Sequence, residues 1–316
     1  MDGVSAHDVI EHRDDLAHLD DGNFWGIAIS YEGAISATSF ATIVRQEFPS
    51  TSWTPLSSQW SSSISREQYC AYVEDIRAGI ARGDLYQANA CRVLQTTFDG
   101  SLEGLFSQIL TSNPAPYSAY LRNQSVEIAS ASPELFLRRE GRTVLTSPIK
   151  GTRAHNSEEF GVKDSAENIM IVDLMRNDLG QICEEVTTPQ LLREESHPGL
   201  IHLVSDVQGR LKADLNWSQI LPPLLPAGSI SGAPKISALN AIANHEESRD
   251  IYCGVIGWVH GERALFNVAI RTFWRRGDVL SFGTGAGITW NSDPESEWNE
   301  TELKAARLLE ICGGSK

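Results

Sequence analysis

The chain is poor in basic residues. Its 26 Lys and Arg stand against 41 Asp and Glu in 316 residues, a formal charge of −15. Phosphate backbones are bound through basic footprints, so nucleic acid is excluded as a main partner. A small anion is not excluded, because local cations, a metal ion or clustered N–H groups overcome the general field. Cysteine is also sparse. The five, at 70, 91, 183, 253 and 312, are odd in number and contain no CxxC pair. That pattern reads as reduced thiols, not as a disulfide framework or a zinc site. No stretch approaches the roughly 18 consecutive apolar residues of a membrane span. The acidic start Met1-Asp2-Gly3-Val4 lacks the apolar core of a signal peptide. A cytoplasmic protein is expected. With 41% hydrophobic residues, a chain of this length can bury a large core.

Periodicity organises the rest. The acidic residues 1–22 read as a solvated helix or arm, Phe24 to Val44 as one or two strands, and the Ser-, Thr-, Pro- and Trp-rich Thr51 to Ser65 as a linker. Tyr69, Tyr72, Val73, Ile76 and Ile80 recur at helical spacing and predict a helix from Arg66 to Ala81. Strands are expected at 88–96, 118–122, 126–130, 135–139, 144–146, 254–260, 265–274 and 279–283, with a hairpin turn at Glu140-Gly141-Arg142. Helices are expected at about 164–181, after Gly232, and at about 294–311. The last has Asp293 as N-cap, Pro294 in its first position and Gly313-Gly314 at its end. Antiparallel-type strands mixed with helices predict an α+β fold. Residues 1–64 are expected to form a short N-terminal region contributing strands, and 65–316 the catalytic domain.

Several residues carry possible chemistry. Lys150 stands in Ser147-Pro148-Ile149-Lys150-Gly151-Thr152, read as a short turn that limits where its amine points. Burial there would make it a reactive neutral amine, although a lone lysine is more commonly a solvated one. Asp164 and Glu167 are three residues apart, as are Glu297 and Glu300, with Lys304 one turn further on. Two such pairs suit a hard cation such as Mg²⁺, and the same spacing also describes solvated acidic helix faces. Gly228 to Lys235 is not a P-loop, because Lys235 does not directly follow a glycine. Gly283-Thr284-Gly285-Ala286-Gly287 is GxGxG and not a dinucleotide motif. Both runs can present N–H groups to a carboxylate.

Ten fragments, in order from Gly83-Asp84-Leu85-Tyr86-Gln87 to Glu297-Trp298-Asn299-Glu300-Thr301, resemble the chorismate-utilising enzymes over about residues 65–312. They include Ser132-Pro133-Glu134, Pro148 to Arg153, Ala166 to Asp173, His202 to Ser205, Gly228 to Lys235 and Ala269-Ile270-Arg271-Thr272. The resemblance implies that fold, with a shortened N-terminal region lacking a regulatory tryptophan pocket. It implies Mg²⁺ held by Glu167 and Glu300, with Asp164 and Glu297 lining the same site. Asp164 stands where many relatives have Glu. Substrate contacts are implied at Arg271, Gly285, Gly287, Ser229, His202, Thr152 and Lys304. His155 stands where relatives often carry a second basic residue.

Glu134 matches the family's general acid, which assists departure of the 4-hydroxyl. Gln87 falls where water-adding relatives have a basic lysine, which disfavours water addition. The anthranilate branch generally has alanine at the position of Lys150, whereas the aminodeoxychorismate branch has lysine and uses it as a covalent nucleophile. The histidine matching His202 is shared by both. The expectation is therefore amination of chorismate at C4 to 4-amino-4-deoxychorismate. No glutaminase elbow is present, so ammonia is expected from a glutamine amidotransferase subunit. The alternatives are anthranilate synthesis, or a non-catalytic subunit of such a complex.

Overall fold

The computed structural model describes residues 1, 3–154, 159–197 and 200–315. Among them, strands gather into one sheet of ten, one of seven and one pair. The larger sheet runs Val4–Arg13, Ile35–Arg45, Phe24–Ile29, Val255–His260, Arg263–Val268, Leu135–Glu140, Thr143–Ser147, Leu200–Leu211 and Ile149–Ala154, with Cys183–His197 also paired to Leu200–Leu211. The smaller runs Gly232–Ala233, Gln87–Thr97, Val279–Ile288, Thr272–Arg276, Glu127–Ser130 and Ala119–Arg122, with Ser61–Ser62 beside Gln87–Thr97. Pairing within both is antiparallel, and the parallel pair joins Leu56–Gln59 to Gly313–Ser315. The expected α+β architecture is what the chain adopts.

Helices close the outer faces. Arg66–Arg82 starts at a capping box, in which Ser65 and Gln68 satisfy each other's N–H groups, and stops at Gly83 with φ 81°. It buries Tyr69, Tyr72, Val73 and Ile76 against Ala88, Ala286 and Ile288 of the smaller sheet. Each such side chain contributes about 1.5–3 kcal/mol by leaving water. Pro294–Cys312 begins as its sequence requires, with the Asp293 carboxylate accepting from the Ser296 N–H at 2.9 Å and Pro294 in the first turn. With Glu103–Ser112 it covers the Phe273 and Phe282 side of that sheet. Val162–Ile182 packs Ile171, Val172, Met175 and Leu179 into the main core around Trp25, Phe136 and Val207. Among the described residues, no helix is long and apolar enough to cross a membrane.

Three expectations change, and two elements appear without having been expected. Residues 4–13 form the edge strand of the large sheet, not a helix or arm. Their polar residues face water on both sides and blunt the edge, so they show no strand alternation. The single strand expected over 265–274 is two, broken at Arg271, whose φ of 52° is left-handed. Lys150 lies in Ile149–Ala154, at an irregularity where Gly151 takes φ 86°, and not in a turn. The hairpin of Cys183–His197 with Leu200–Leu211, and the helix Glu103–Ser112, were not expected at all.

The chain passes between the two sheets twice near one place. One crossing, residues 131–134, links Glu127–Ser130 to Leu135–Glu140. The other, residues 269–271, links Arg263–Val268 to Thr272–Arg276. The crossings are tied together: Val268 N–H donates to Glu134 O at 3.1 Å, and Ala131 N–H to Arg271 O at 3.0 Å. Glu134 and Arg271 are thereby fixed at the junction of the sheets.

Candidate active site

Glu134 is buried, 4% exposed, and its backbone is locked from both sides. Ser132 Oγ donates to Val268 O at 2.6 Å while accepting from the Glu134 N–H at 3.2 Å. The Ser229 hydroxyl, the Lys150 amine and the Ile149 N–H stand near the carboxyl, and each favours its ionised form. Burial outweighs these stabilising neighbours and pushes it up to about 7. A glutamic acid in that state holds a proton near neutrality and can donate it.

Lys150 approaches from the large sheet. Its Nζ lies 3.6 Å from where a Cβ on Gly287 would stand, and Gln87 Nε2 lies 2.5 Å from the same point. Glycine at 287 thus leaves room for both side chains. Burial lowers the lysine, as does the like charge of Lys304, while Glu134, Glu167 and Glu300 oppose that shift. The residue as a whole is half-buried, while its amine is desolvated. The Gln87 side chain is buried, and its Oε1 has no partner among the described residues.

The carboxylates come from the two expected helices. Glu167, on Val162–Ile182, and Glu300, on Pro294–Cys312, both place their charge on Lys150, so the helices converge there. Glu300 pairs with Lys304 at 2.6 Å, and Lys304 Nζ also donates to Gly285 O at 3.0 Å. Asp164 is used locally, its Oδ2 accepting from the Gly161 N–H at 3.0 Å in the first turn of its helix. Glu297 is buried and lies near enough to Tyr69 to act on its hydroxyl. Among the described residues, no three His, Cys, Asp or Glu side chains form a closed metal cage. Two carboxylates that both act on one lysine still fit a hard cation that keeps waters and takes a ligand's oxygens to complete its shell.

Arg271 is desolvated, which lowers its guanidinium from the ordinary arginine range, and it makes no side-chain hydrogen bond or ion pair with any described residue. A desolvated, half-buried cation with no ion partner among the described residues, held in left-handed backbone, could receive an anion. Gly285 and Gly287 stand opposite Cys91 and Asn89 in Val279–Ile288. His202 is buried and pairs in register with Thr152, two residues from Lys150. The Thr152 side chain and His155 lie outside what the structure describes.

Sequence reasoning missed a buried ionic group behind this site. Arg249, 1% exposed, joins Glu246 through Nε at 2.6 Å and Nη2 at 2.9 Å. Glu246 Oε1, which takes the Nη2 bond, also accepts from the Cys91 N–H at 2.8 Å and the Tyr72 hydroxyl at 2.9 Å, and Oε2 takes the Nε bond. The available signal was an Arg three residues from a Glu just before the apolar run Ile251-Tyr252-Cys253.

A profile for chorismate binding enzymes matches residues 30–310. The sequence is 36% identical over 284 residues to aminodeoxychorismate synthase component 1 of Klebsiella aerogenes, covering 85% of this chain and 63% of that protein. It is 35% identical over 269 residues to anthranilate synthase component 1 of Saccharolobus solfataricus, covering 80% of this chain and 64% of that one. The chain therefore spans less than two thirds of either relative. In fold it is similar to anthranilate synthase component I of Streptococcus pneumoniae, with a TM-score of 0.85 at 23% identity over 97% of this chain and 91% of that one. It is also similar to a putative 2,3-dihydroxybenzoate-specific isochorismate synthase of Bacillus anthracis, with a TM-score of 0.82 at 19% identity over 98% and 93%. The chain belongs to the chorismate binding enzyme family.

Proposed function

We propose that the chain aminates chorismate at C4 with ammonia, giving 4-amino-4-deoxychorismate through a covalent adduct on Lys150. The observation that carries this reading is the pairing of a desolvated Lys150 amine with a buried Glu134 carboxyl pushed up to about 7. The neutral amine attacks C2, both ring double bonds shift by one position round the ring through C1, C6 and C5, and the C4–O bond breaks. Glu134 gives its proton to the departing hydroxyl, which leaves as water. As a carboxylate it can then take the proton released from the new C–N bond. Ammonia next attacks C4, both double bonds shift back, and Lys150 departs as it regains the proton held by Glu134; the new ammonium gives up its own proton. The enolpyruvyl group is untouched, so a separate lyase would be needed to reach p-aminobenzoate.

Arg271 suits a bidentate contact with a substrate carboxylate, and the Gly285–Gly287 segment lets that group approach the backbone. Mg²⁺ would be held by Glu167 and Glu300, where it would neutralise a substrate carboxylate. A glutamine amidotransferase partner would supply the ammonia. The designation of the Klebsiella aerogenes relative as component 1 of a synthase supports a second component. The test is product identification after incubation with chorismate, Mg²⁺ and an ammonium salt at mildly alkaline pH, with free ammonia replacing the partner. A product that retains the enolpyruvyl group supports the proposal. Anthranilate with pyruvate would assign the chain to the other branch, and no turnover would favour a non-catalytic subunit.

A further inference from the structure

Arg249 lies behind the site, yet its guanidinium reaches both walls of it. Nη1 donates to Ile230 O at 3.1 Å, and Nη2 to Asn89 O at 2.6 Å. Ile230 follows Ser229 in the short helix Gly228–Ser231, and the Ser229 hydroxyl is the neighbour that most favours the ionised Glu134 carboxyl. Asn89 stands opposite Gly287, the glycine beside Lys150. One rigid fork therefore spans the segment that serves the acid and the strand that borders the nucleophile.

A purely structural reading explains this poorly. Burying an ion pair such as Arg249 with Glu246 costs several kcal/mol per ion in desolvation, and an apolar replacement of similar size is often as stable. Ion pairing alone would also leave Nη1 unused. Here every guanidinium nitrogen is committed, and the two bonds not made to Glu246 go to main-chain carbonyls on either side of the cleft. The Tyr31 ring covers the guanidinium, 4.4 Å from its centroid, and keeps the fork from turning.

We propose that Arg249 is a positioning residue: its fork holds the Ser229 segment against Glu134 and keeps the Gly287 strand at a fixed spacing from it. The proposal rests on Glu134 acting as the acid. Lys150 is the charged group facing Glu134, and its other polar neighbours are the Ser229 hydroxyl and the Ile149 N–H. The Ser229 hydroxyl favours the ionised carboxyl, so drawing it away makes Glu134 keep its proton to higher pH.

The experiment compares pH profiles of ammonia-dependent chorismate turnover for the full chain and for Arg249→Met, Arg249→Lys, Ser229→Ala and the Arg249→Met/Ser229→Ala double variant. Ser229→Ala is expected to move the alkaline fall of kcat/KM upward by about 1 pH unit, the scale of one hydrogen bond to a charged group. Arg249→Met is expected to move the same limb in the same direction and to lower kcat about 10- to 100-fold through misplacement. The double variant should move the limb no further than Ser229→Ala alone. Arg249→Lys keeps the charge without the fork and should match the methionine variant, and it carries the test if that variant does not fold. A lower rate in the Arg249 variants with the limb at its wild-type position, while Ser229→Ala moves it, would overturn the inference and leave the acid assignment standing. A limb that Ser229→Ala does not move would overturn the acid assignment and the inference with it.

Discussion

Lys150 Nζ lies beside Gly287, 3.6 Å from where a Cβ would stand, which is ordinary contact distance. The same Cβ would press on Gln87 Nε2 at 2.5 Å. Gly287→Ala should therefore displace the Gln87 amide, and with it the surroundings of the Lys150 amine, while leaving the core intact. Steady-state kinetics should show kcat/KM reduced about 10- to 100-fold, the cost of a small misplacement at reacting groups. Thermal melting should change by about 1 kcal/mol or less, since the clash is with the end of a flexible side chain. Unchanged kinetics would mean that the amine does not work from this position.

Glu134 links catalysis to stability. Its folded value of about 7 lies above the unfolded 4.5, so its contribution is fully present below about 4.5 and is lost as pH rises through about 7. An ionised Glu134 above that range costs about 3 kcal/mol, on the order of the shift times 1.36 kcal/mol per unit. Glu134→Gln should raise the unfolding free energy at pH 8 by about 2–4 kcal/mol, and far less at pH 5. The same variant should lower kcat by about 10²–10⁴-fold, as expected for loss of a general acid. Chemical denaturation at the two pH values measures the first effect, and an equal change at both would contradict it.

Arg271 combines two costs that only ligand binding would offset. It is a desolvated cation without a described ion partner, in backbone at φ 52°. Arg271→Gly removes both and should stabilise the free chain by about 1–2 kcal/mol, through relief of left-handed strain and of an unpaired charge. It should also raise KM for chorismate at least about 10-fold. A stability loss, with KM unchanged, would make Arg271 structural.

Much of the fold could be read where local chemistry decides it. The Ser65–Gln68 capping box, the Asp293-Pro294 start and the apolar spacing of residues 69–76 specify their helices without help from the rest of the chain. The hairpin Cys183–His197 with Leu200–Leu211 escaped because Glu184, Glu185, Arg193, Glu194 and Glu195 dominate its first arm, and pairing across the sheet supplies what its pattern lacks. In the site, spacing alone did not separate Lys150 from a solvated lysine. Family resemblance singled it out, and burial beside Glu134 then gave it a physical basis. The Arg249 fork was not legible, because its partners are carbonyls, which carry no sequence signal, from segments 19 and 160 residues away.

The covalent Lys150 adduct is the central claim, and withholding ammonia tests it most directly. The purified chain is mixed with chorismate and Mg²⁺ without ammonium, quenched, digested and analysed by peptide mass spectrometry. The account predicts that the peptide containing Lys150 gains the mass of chorismate less one water, that Lys150→Ala abolishes the adduct, and that added ammonium clears it with formation of 4-amino-4-deoxychorismate. An unmodified Lys150 peptide in a chain that still aminates chorismate once ammonium is supplied would contradict it.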